Sequence, residues 1–309
     1  MNISRRFILT GTAALAATAG LPLAARRGWA LTSMTMGDVR IDSLSDGHLE
    51  LPAGFFLERL PEGDRGAILD MFDLPTEGVV VSPCNLTLLR TGDRVVLFDA
   101  GSGPDFVPTA GRLPEALAAL GIAPGDVTDV LFTHAHPDHL WGLLDEFDEP
   151  LFPNAALHMG AAEFAYWSDP RTAETIGEEW LSFAVGAMRR LTAVGDRIRQ
   201  IGDGDEVLPG IRAVSTPGHT PGHMSYAVGT PGQGVFVTGD FVTSAAAIFR
   251  PELGTSTDSD PEQATATRRT LLPRLADEGW TILGYHLPEG GIGRIARDGA
   301  AFRFEEMDA

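Results

Sequence analysis

The chain has 309 residues and a formal net charge of −19, with 44% hydrophobic residues. A surface this acidic repels nucleic-acid phosphates and anionic lipid headgroups, which argues against nucleic-acid binding and against stable membrane association of the mature protein. The acidic charge fits a small-molecule substrate better. The length favours one large α/β domain, which spans residues 31–309.

Residues 1–30 have a basic start, an apolar middle and a small-residue end, which is the layout of an export signal peptide. Arg5 and Arg6, followed directly by Phe7, resemble the twin-arginine type. The alternative is an uncleaved N-terminal anchor over residues 8–25. The signal reading predicts a periplasmic or secreted protein.

The rest of the chain alternates between strand-like and helix-like segments. Residues 36–44 have the alternation of an edge strand, and Ser45-Asp46-Gly47 is predicted to be a turn. Further strands are predicted at residues 84–90, 95–99, 129–132, 211–215, 225–228, 234–238 and 280–283, and helices at 113–120, over most of 161–199 and at 261–278. Four large residues of the helical middle have the spacing of a packing face or a pocket wall, and we expect them in the core: Trp167, Trp180, Phe183 and Met188. This order of elements favours a layered α/β sandwich.

Residues 134–139 read His-Ala-His-Pro-Asp-His and directly follow a predicted strand. His134 and His136 are two residues apart in an extended segment, so they point the same way and can meet one ion. A turn then directs Asp138 and His139 to a second ion. Imidazole and carboxylate ligands suit zinc or iron, and the absence of thiol ligands argues against a purely structural zinc site. The alternative is a histidine-rich surface loop.

Three more candidate ligands follow later strands: His219 in Thr-Pro-Gly-His-Thr-Pro-Gly-His, Asp240 in Thr-Gly-Asp, and His286 in Gly-Tyr-His. A carboxylate placed between two cations can bridge them and offset their repulsion, which a neutral imidazole cannot do. Asp240 is therefore the candidate for a bridging ligand.

In this order the motifs resemble those of the metallo-β-lactamase superfamily, and the resemblance spans most of residues 38–300. It implies a four-layer αββα sandwich with two divalent metal ions, zinc being the first choice. It also implies that Asp99 orients the site. The implied ligands are His134, His136 and His219 for one ion, Asp138, His139 and His286 for the other, and Asp240 between them.

Within the superfamily, Thr238-Gly239-Asp240 and the segment 285–288 (Tyr-His-Leu-Pro) are most similar to exported organophosphate hydrolases and quorum-quenching lactonases. Two positions depart from the pattern. Thr243 stands where lactonases usually have a tyrosine, and Trp141 replaces a common glycine. Both residues are expected at the substrate pocket, although Trp141 has packing as its alternative.

The resulting hypothesis is a binuclear hydrolase. A hydroxide held between the two ions attacks an ester, lactone or phosphotriester, and Asp138 accepts or relays its proton. The alternatives are a β-lactamase or thioester hydrolase of the same fold, an iron and flavin redox enzyme, and a non-catalytic metal-binding protein. A homodimer is a further possibility.

The remaining histidines and the single cysteine are given structural roles. His223 is expected to pack and hydrogen-bond rather than to bind metal, and His48 and His158 are expected to be ordinary histidines. Cys84 is the only cysteine, so no intrachain disulfide forms, and a buried core thiol is expected.

Overall fold

The computed structural model describes residues 30–57, 62–63, 65–254 and 256–307. The predicted export segment lies outside these residues except for Ala30, where the first strand begins. Within the described ranges, no helix has both the length and the hydrophobicity that crossing a bilayer requires.

The first sheet has seven strands that neighbour one another in chain order. The first four strands pair antiparallel and the last four pair parallel, so the fourth belongs to both sets. These strands are β1 (Ala30–Met36), β2 (Val39–Pro52), β3 (Val79–Thr91), β4 (Arg94–Phe98), β5 (Asp129–Leu131), β6 (Ala156–Gly160) and β7 (Ile198–Ile201).

The second sheet also has seven strands in chain order, and one parallel pair interrupts its antiparallel pairing. Its strands are β8 (Glu206–Leu208), β9 (Ile211–Ser215), β10 (Met224–Val228), β11 (Val235–Gly239), β12 (Thr281–Gly284), β13 (Ile292–Asp298) and β14 (Ala301–Glu306). The parallel pair is β11 with β12, joined by a crossover that contains a long helix.

The helices fall between these strands. They are α1 (Gly54–Leu57), α2 (Arg65–Met71), α3 (Leu113–Ala119), α4 (Pro137–Leu140), α5 (Ala161–Ser168), α6 (Pro170–Thr175), α7 (Leu181–Val194), α8 (Ala245–Phe249) and α9 (Pro261–Asp277). The α9 helix begins where the sequence predicts, because the Asp260 side chain accepts a hydrogen bond from the Gln263 amide and Pro261 occupies the first turn.

Three apolar layers hold the sheets and helices together. The inner faces of the two sheets meet through residues such as Phe98 and Tyr226, whose rings lie 5.4 Å apart. Leu117 of α3 and Leu191 of α7 cover the outer face of the first sheet, and Leu272 of α9 covers the outer face of the second. The four-layer αββα sandwich is therefore confirmed.

The turn predicted at residues 45–47 is wrong, because β2 continues through it with a bulge between Ser45 and Gly47. The Asp46 carboxylate accepts hydrogen bonds from the backbone amides of Ser102 and Leu113, each at 2.8 Å. Gly47 has a φ of +106°, which a bulge tolerates at glycine. The Ser-Asp-Gly sequence thus marks a bulge that fastens two neighbouring loops.

Candidate metal centre

The seven candidate ligands converge at one edge of the sandwich. His134 and His136 follow β5, and α4 carries Asp138 and His139. The other three follow strands of the second sheet: His219 follows β9, Asp240 follows β11 and His286 follows β12. Their side chains are at most 9% exposed. The two sheets therefore bring together residues that are far apart in the chain.

The first set, His134, His136 and His219, is called the three-histidine group below. One ring nitrogen from each lies within 4.8 Å of the others. His136 Nδ1 and His219 Nε2 are only 2.9 Å apart. Two imidazole nitrogens this close require a proton or a cation between them, so the geometry suits an ion with nitrogen ligands.

The second set, Asp138, His139 and His286, is called the acid-containing group. Asp138 Oδ2 lies 3.3 Å from His286 Nε2 and 3.6 Å from His139 Nε2. Asp240 stands between the two groups. Its Oδ1 is 3.4 Å from His139 Nε2, and its Oδ2 is 3.4 Å from His219 Nε2. This is the placement that a bridging carboxylate needs.

Four of the histidines have one ring nitrogen fixed by an outer partner. His139 Nδ1 donates to Asp99 Oδ2 at 2.8 Å, and His219 Nδ1 donates to Asp258 Oδ1 at 3.1 Å. His286 Nδ1 donates to the Pro83 carbonyl at 2.8 Å, and His134 Nδ1 lies 3.0 Å from Thr133 Oγ1. Each Nε2 is therefore directed toward the shared centre. Histidines that bind metals are typically oriented in this way.

Three of the atoms that face this centre have no hydrogen-bond partner in the part of the chain that the structure describes. Within the described residues, no hydrogen bond reaches His134 Nε2, His139 Nε2 or Asp240 Oδ1, although all three are buried. A buried polar atom without a partner is costly unless something else satisfies it. A metal ion would supply that interaction, so the residues present fit divalent metals.

The electrostatics agree with this arrangement. Burial and neighbouring histidines hold the pKa values of His134 and His136 well below the usual range, so both are neutral and can ligate. Burial also acts to lower the pKa values of His139 and His286, but the negative charge of Asp240 and its neighbours outweighs it. The pKa of His286 rises to about 10. The acidic side of the centre thus attracts positive charge.

Asp99, the residue expected to orient the site, makes three hydrogen bonds beside it. Its Oδ1 accepts from the Thr133 amide at 2.7 Å, and its Oδ2 accepts from the Thr133 hydroxyl at 2.8 Å as well as from His139. Asp99 has a φ of +66°, an uncommon value for a residue other than glycine. The three hydrogen bonds to its carboxylate hold the residue in that conformation.

His223 has the hydrogen-bonding role predicted for it. Its Nε2 accepts from the backbone amide of Asp240 at 2.9 Å, and its Nδ1 lies 2.7 Å from Thr216 Oγ1. Burial, aided by the nearby His219, lowers the pKa of His223 to about 3. A neutral ring in one tautomer therefore fixes the backbone at Asp240. His158 is buried beside Asp129, and His48 is partly exposed.

Cys84 is fully buried, as predicted, but its surroundings were not evident from the sequence. Its thiol lies within 4.8 Å of potential ligand atoms of Asp138 and His286. Burial, together with the charge of Asp138, raises the pKa of the thiol well above its usual value. Cys84 is therefore a neutral thiol packed behind the acid-containing group.

A cavity of about 150 Å³ opens onto the ligands. Thr243 lines it, as predicted, together with Ser82. The apolar lining consists of Leu49, Leu51, Phe55, Phe56, Phe106, Trp180 and Phe183. Phe183 and Trp180 are thus wall residues rather than core, because α7 presents its amino-terminal end to the cavity.

Trp141 does not line this cavity, so the pocket role predicted for it is revised. Its ring packs edge-on behind Phe106, with centroids 5.6 Å apart, and under the Arg190 guanidinium at 4.4 Å. A Cβ atom on Gly186 of α7 would approach the Trp141 ring to 2.1 Å. The large ring is accommodated by a glycine on the facing helix and supports the cavity wall from behind.

The comparisons with known proteins agree with the fold. The family model described as the metallo-beta-lactamase superfamily matches residues 79–286. The solved hydrolase AbOPH of the beta lactamase superfamily is 30% identical, with a TM-score of 0.81 over 90% of this chain and 97% of its own. AidC, a dizinc quorum-quenching lactonase, has a TM-score of 0.82 at 23% identity over the same shares of the two chains.

Curated relatives match over shorter segments. Metallo-beta-lactamase domain-containing protein 1 of Rattus norvegicus is 46% identical over 71 residues, which are 21% of this chain and 26% of the relative. The N-acyl homoserine lactonase AiiB of Agrobacterium fabrum is 27% identical over 172 residues, which are 47% of this chain and 58% of the relative. The matches thus span between a quarter and somewhat over half of these relatives. With the family model covering most of the chain, this protein belongs to the metallo-beta-lactamase superfamily.

Proposed function

We propose that this chain is a metal-dependent hydrolase that uses two divalent ions, zinc being the first choice, to cleave an uncharged ester, lactone or phosphotriester. One observation carries the proposal: four histidines have an outer nitrogen fixed by a partner while their Nε2 atoms face a common centre. The three-histidine group would hold one ion, the acid-containing group the other, and Asp240 would contact both.

Bound divalent ions would lower the pKa of water and polarise the oxygen of the scissile group. The protein's own residues supply position and proton transfer. Asp138 lines the cavity and is 6% exposed. Burial raises the pKa of Asp138, but the charge of His139 and the hydrogen bond to His286 outweigh it and keep the pKa low. Asp138 is therefore ionised and available to accept a proton beside the reacting water.

The cavity favours uncharged substrates. Most of its lining is aliphatic or aromatic, and no arginine lines it among the residues that the structure describes. The chain as a whole carries a formal charge of −19. A β-lactam or a glutathione thioester carries carboxylates that would gain no arginine or lysine partner among the described residues of this lining. The solved neighbour AidC, a quorum-quenching lactonase, supports the same choice.

A hydrolysis panel tests the proposal. Protein of measured metal content is assayed with a neutral acyl-homoserine lactone, an aryl ester, a phosphotriester and a β-lactam. We expect turnover of at least one of the three neutral classes and a much lower kcat/KM for the β-lactam. Preference for the β-lactam would contradict the substrate assignment, and turnover that survives complete metal removal would contradict the metal mechanism.

A substitution at Thr243 is expected to change stability and activity in opposite directions. Its side chain is 6% exposed, yet its hydroxyl has no hydrogen-bond partner within the described residues. We expect Thr243→Val to raise the free energy of unfolding by up to about 1 kcal/mol, because an unpaired buried hydroxyl is removed. We expect kcat/KM to fall about tenfold, because the substrate then loses its contact with the Thr243 hydroxyl. Denaturant unfolding and kinetics measure the two effects. Thr243→Ser is the control and should keep the activity, whereas full turnover by the valine variant would refute the substrate contact.

Metal uptake should release protons. Without metal, His139 and His286 have raised pKa values and are protonated at neutral pH. Metal ligation requires their neutral forms, so loading at pH 7 should release about two protons per chain from these residues. Affinity should accordingly rise as the pH rises toward the raised pKa values. Calorimetry in buffers of different ionisation enthalpy measures the release, and uptake without proton release would contradict ligation by these histidines.

A further inference from the structure

Glu163 is a buried acid with no part in the chemistry described above. It lies in the first turn of α5, its side chain is fully buried, and it makes no ion pair with any described residue. Burial of a carboxylate away from water is expensive unless several hydrogen bonds offset the lost hydration. Burial accordingly raises the pKa of Glu163, while its hydrogen bonds act to lower it.

Four donors surround this carboxylate. Oε1 accepts from the Ala135 amide at 2.9 Å and from the Trp167 indole at 2.7 Å. Oε2 accepts from the Thr220 hydroxyl at 2.8 Å and from the Gly222 amide at 3.0 Å. A carboxylate is the side chain that accepts at both ends without presenting a donor, so the surroundings match an ionised glutamate.

Two of the donors to the Glu163 carboxylate lie next to the histidines of the three-histidine group. Ala135 stands between His134 and His136, and Thr220 directly follows His219. One carboxylate therefore ties together the two loops that carry the whole three-histidine group. Trp167 completes the link, because its ring contacts His136 edge-on at 5.7 Å between centroids.

The close approach of the loop after His219 to α5 requires a glycine at position 222. A Cβ atom on Gly222 would lie 2.0 Å from the Glu163 amide nitrogen, so only glycine permits the loop to approach α5 this closely. The contacts at both ends of the carboxylate leave the two loops little room to shift relative to each other.

We infer that Glu163 is a positioning residue for the three-histidine group, and that its charge and hydrogen bonds set the affinity of that group for its metal ion. The inference rests on the proposed function only in requiring that the group binds metal. Glu163→Gln keeps the shape, but its amide nitrogen must face two of the donors. A glutamine that keeps its oxygen toward Ala135 and Trp167 leaves the Gly222 amide unpaired, which loosens the loop after His219.

The test compares metal binding by wild type, Glu163→Gln and a matched control, Asp46→Asn. Asp46 is also a buried carboxylate that accepts backbone amides, but its donors flank no metal ligand. Each metal-depleted protein is titrated with Zn²⁺ against chelators of graded affinity, and bound metal is measured by mass spectrometry. We expect one of two ions to bind about 10- to 100-fold more weakly in Glu163→Gln, with the other unchanged. An anomalous difference map should then show the remaining ion at the acid-containing group.

Asp46→Asn should melt at a lower temperature and still bind both ions with wild-type affinity. If Glu163→Gln binds both ions as wild type does, or if both variants weaken metal equally, the positioning role is refuted while the proposed function stands. If wild type binds no metal, both are refuted. Should Glu163→Gln fail to fold, Thr220→Val removes one of the four donors at nearly constant volume, and a smaller loss at the same ion is expected.

Discussion

Asp240→Asn should abolish most of the hydrolytic activity, with kcat/KM at least about 100-fold lower than in wild type, because this position contacts both groups of ligands. The carboxylate lies 3.3–3.4 Å from the Nε2 atoms of His139, His219 and His286. Asparagine keeps the shape but removes the negative charge that would lie between the two proposed cations. Their mutual repulsion is then less well offset, so the chain should retain fewer than two ions.

Metal analysis and kinetics on the same preparation check this result. Asp129→Asn is a matched control, because Asp129 is also a buried acid but lies at the amino-terminal end of β5, paired with Arg94. The control should keep its metal content. An Asp240→Asn protein with two ions and full activity would show that the residue is not a bridging ligand.

Asp258→Ala should have the largest effect on stability. Asp258 accepts from His219 Nδ1 and pairs with Arg268 at 3.1 Å, and the side chains of Asp258 and Arg268 are at most 1% exposed. Removing one partner of a buried ion pair leaves the other charge unpaired, which costs about 3–5 kcal/mol. His219 also loses the partner that aims its Nε2, so the three-histidine group should bind metal about 10- to 100-fold more weakly.

The stability of this pair also has a defined pH dependence. Burial raises the pKa of Asp258, but the hydrogen bond to His219 and the charge of Arg268 outweigh it, so the folded pKa lies below the usual value. The stabilisation is therefore present above about pH 4, the usual aspartate pKa, and is lost as the pH falls through the folded pKa. In denaturant unfolding, Asp258→Ala and wild type should differ at pH 7 and converge in acid.

An exposed ion pair provides the control for this prediction. Asp277 and Arg297 form a pair whose side chains are about half exposed. Solvent screens such a pair, so Asp277→Ala should leave the unfolding midpoint nearly unchanged. Equal losses of stability in the two alanine variants would contradict the special role of the buried pair.

The sequence predicts those parts of the fold that local patterns determine. The α9 helix has its cap at Asp260 and a proline in its first turn. In β9, the buried residues Ile211 and Ala213 alternate with the exposed Arg212. The sequence does not predict the β13–β14 hairpin, because β14 mixes Phe302 and Phe304 with charged residues that face solvent. The sequence predicts a turn rather than a bulge at Asp46, because the hydrogen bonds to distant loops that stabilise the bulge leave no pattern in the neighbouring residues.

The same distinction applies to the site. The ligands at residues 134–139 stand in one short segment with a recognisable spacing, so sequence reasoning found them. Asp258 reaches His219 across 39 residues, and Glu163 reaches Ala135 across 28. No local pattern marks either acid, because an isolated Asp or Glu in a sequence is usually exposed. Phe106 likewise enters the cavity wall only through the folded arrangement of loops.

The central claim, two metal ions held by two groups of ligands with Asp240 between them, is tested most directly by locating metal in the purified protein. Elemental analysis combined with an anomalous difference map at the metal absorption edge gives both the number and the positions of the ions. We predict two ions per chain, one at the three-histidine group and one at the acid-containing group. The claim would be contradicted by protein that binds no metal although all seven side chains are intact, or by protein that binds metal elsewhere.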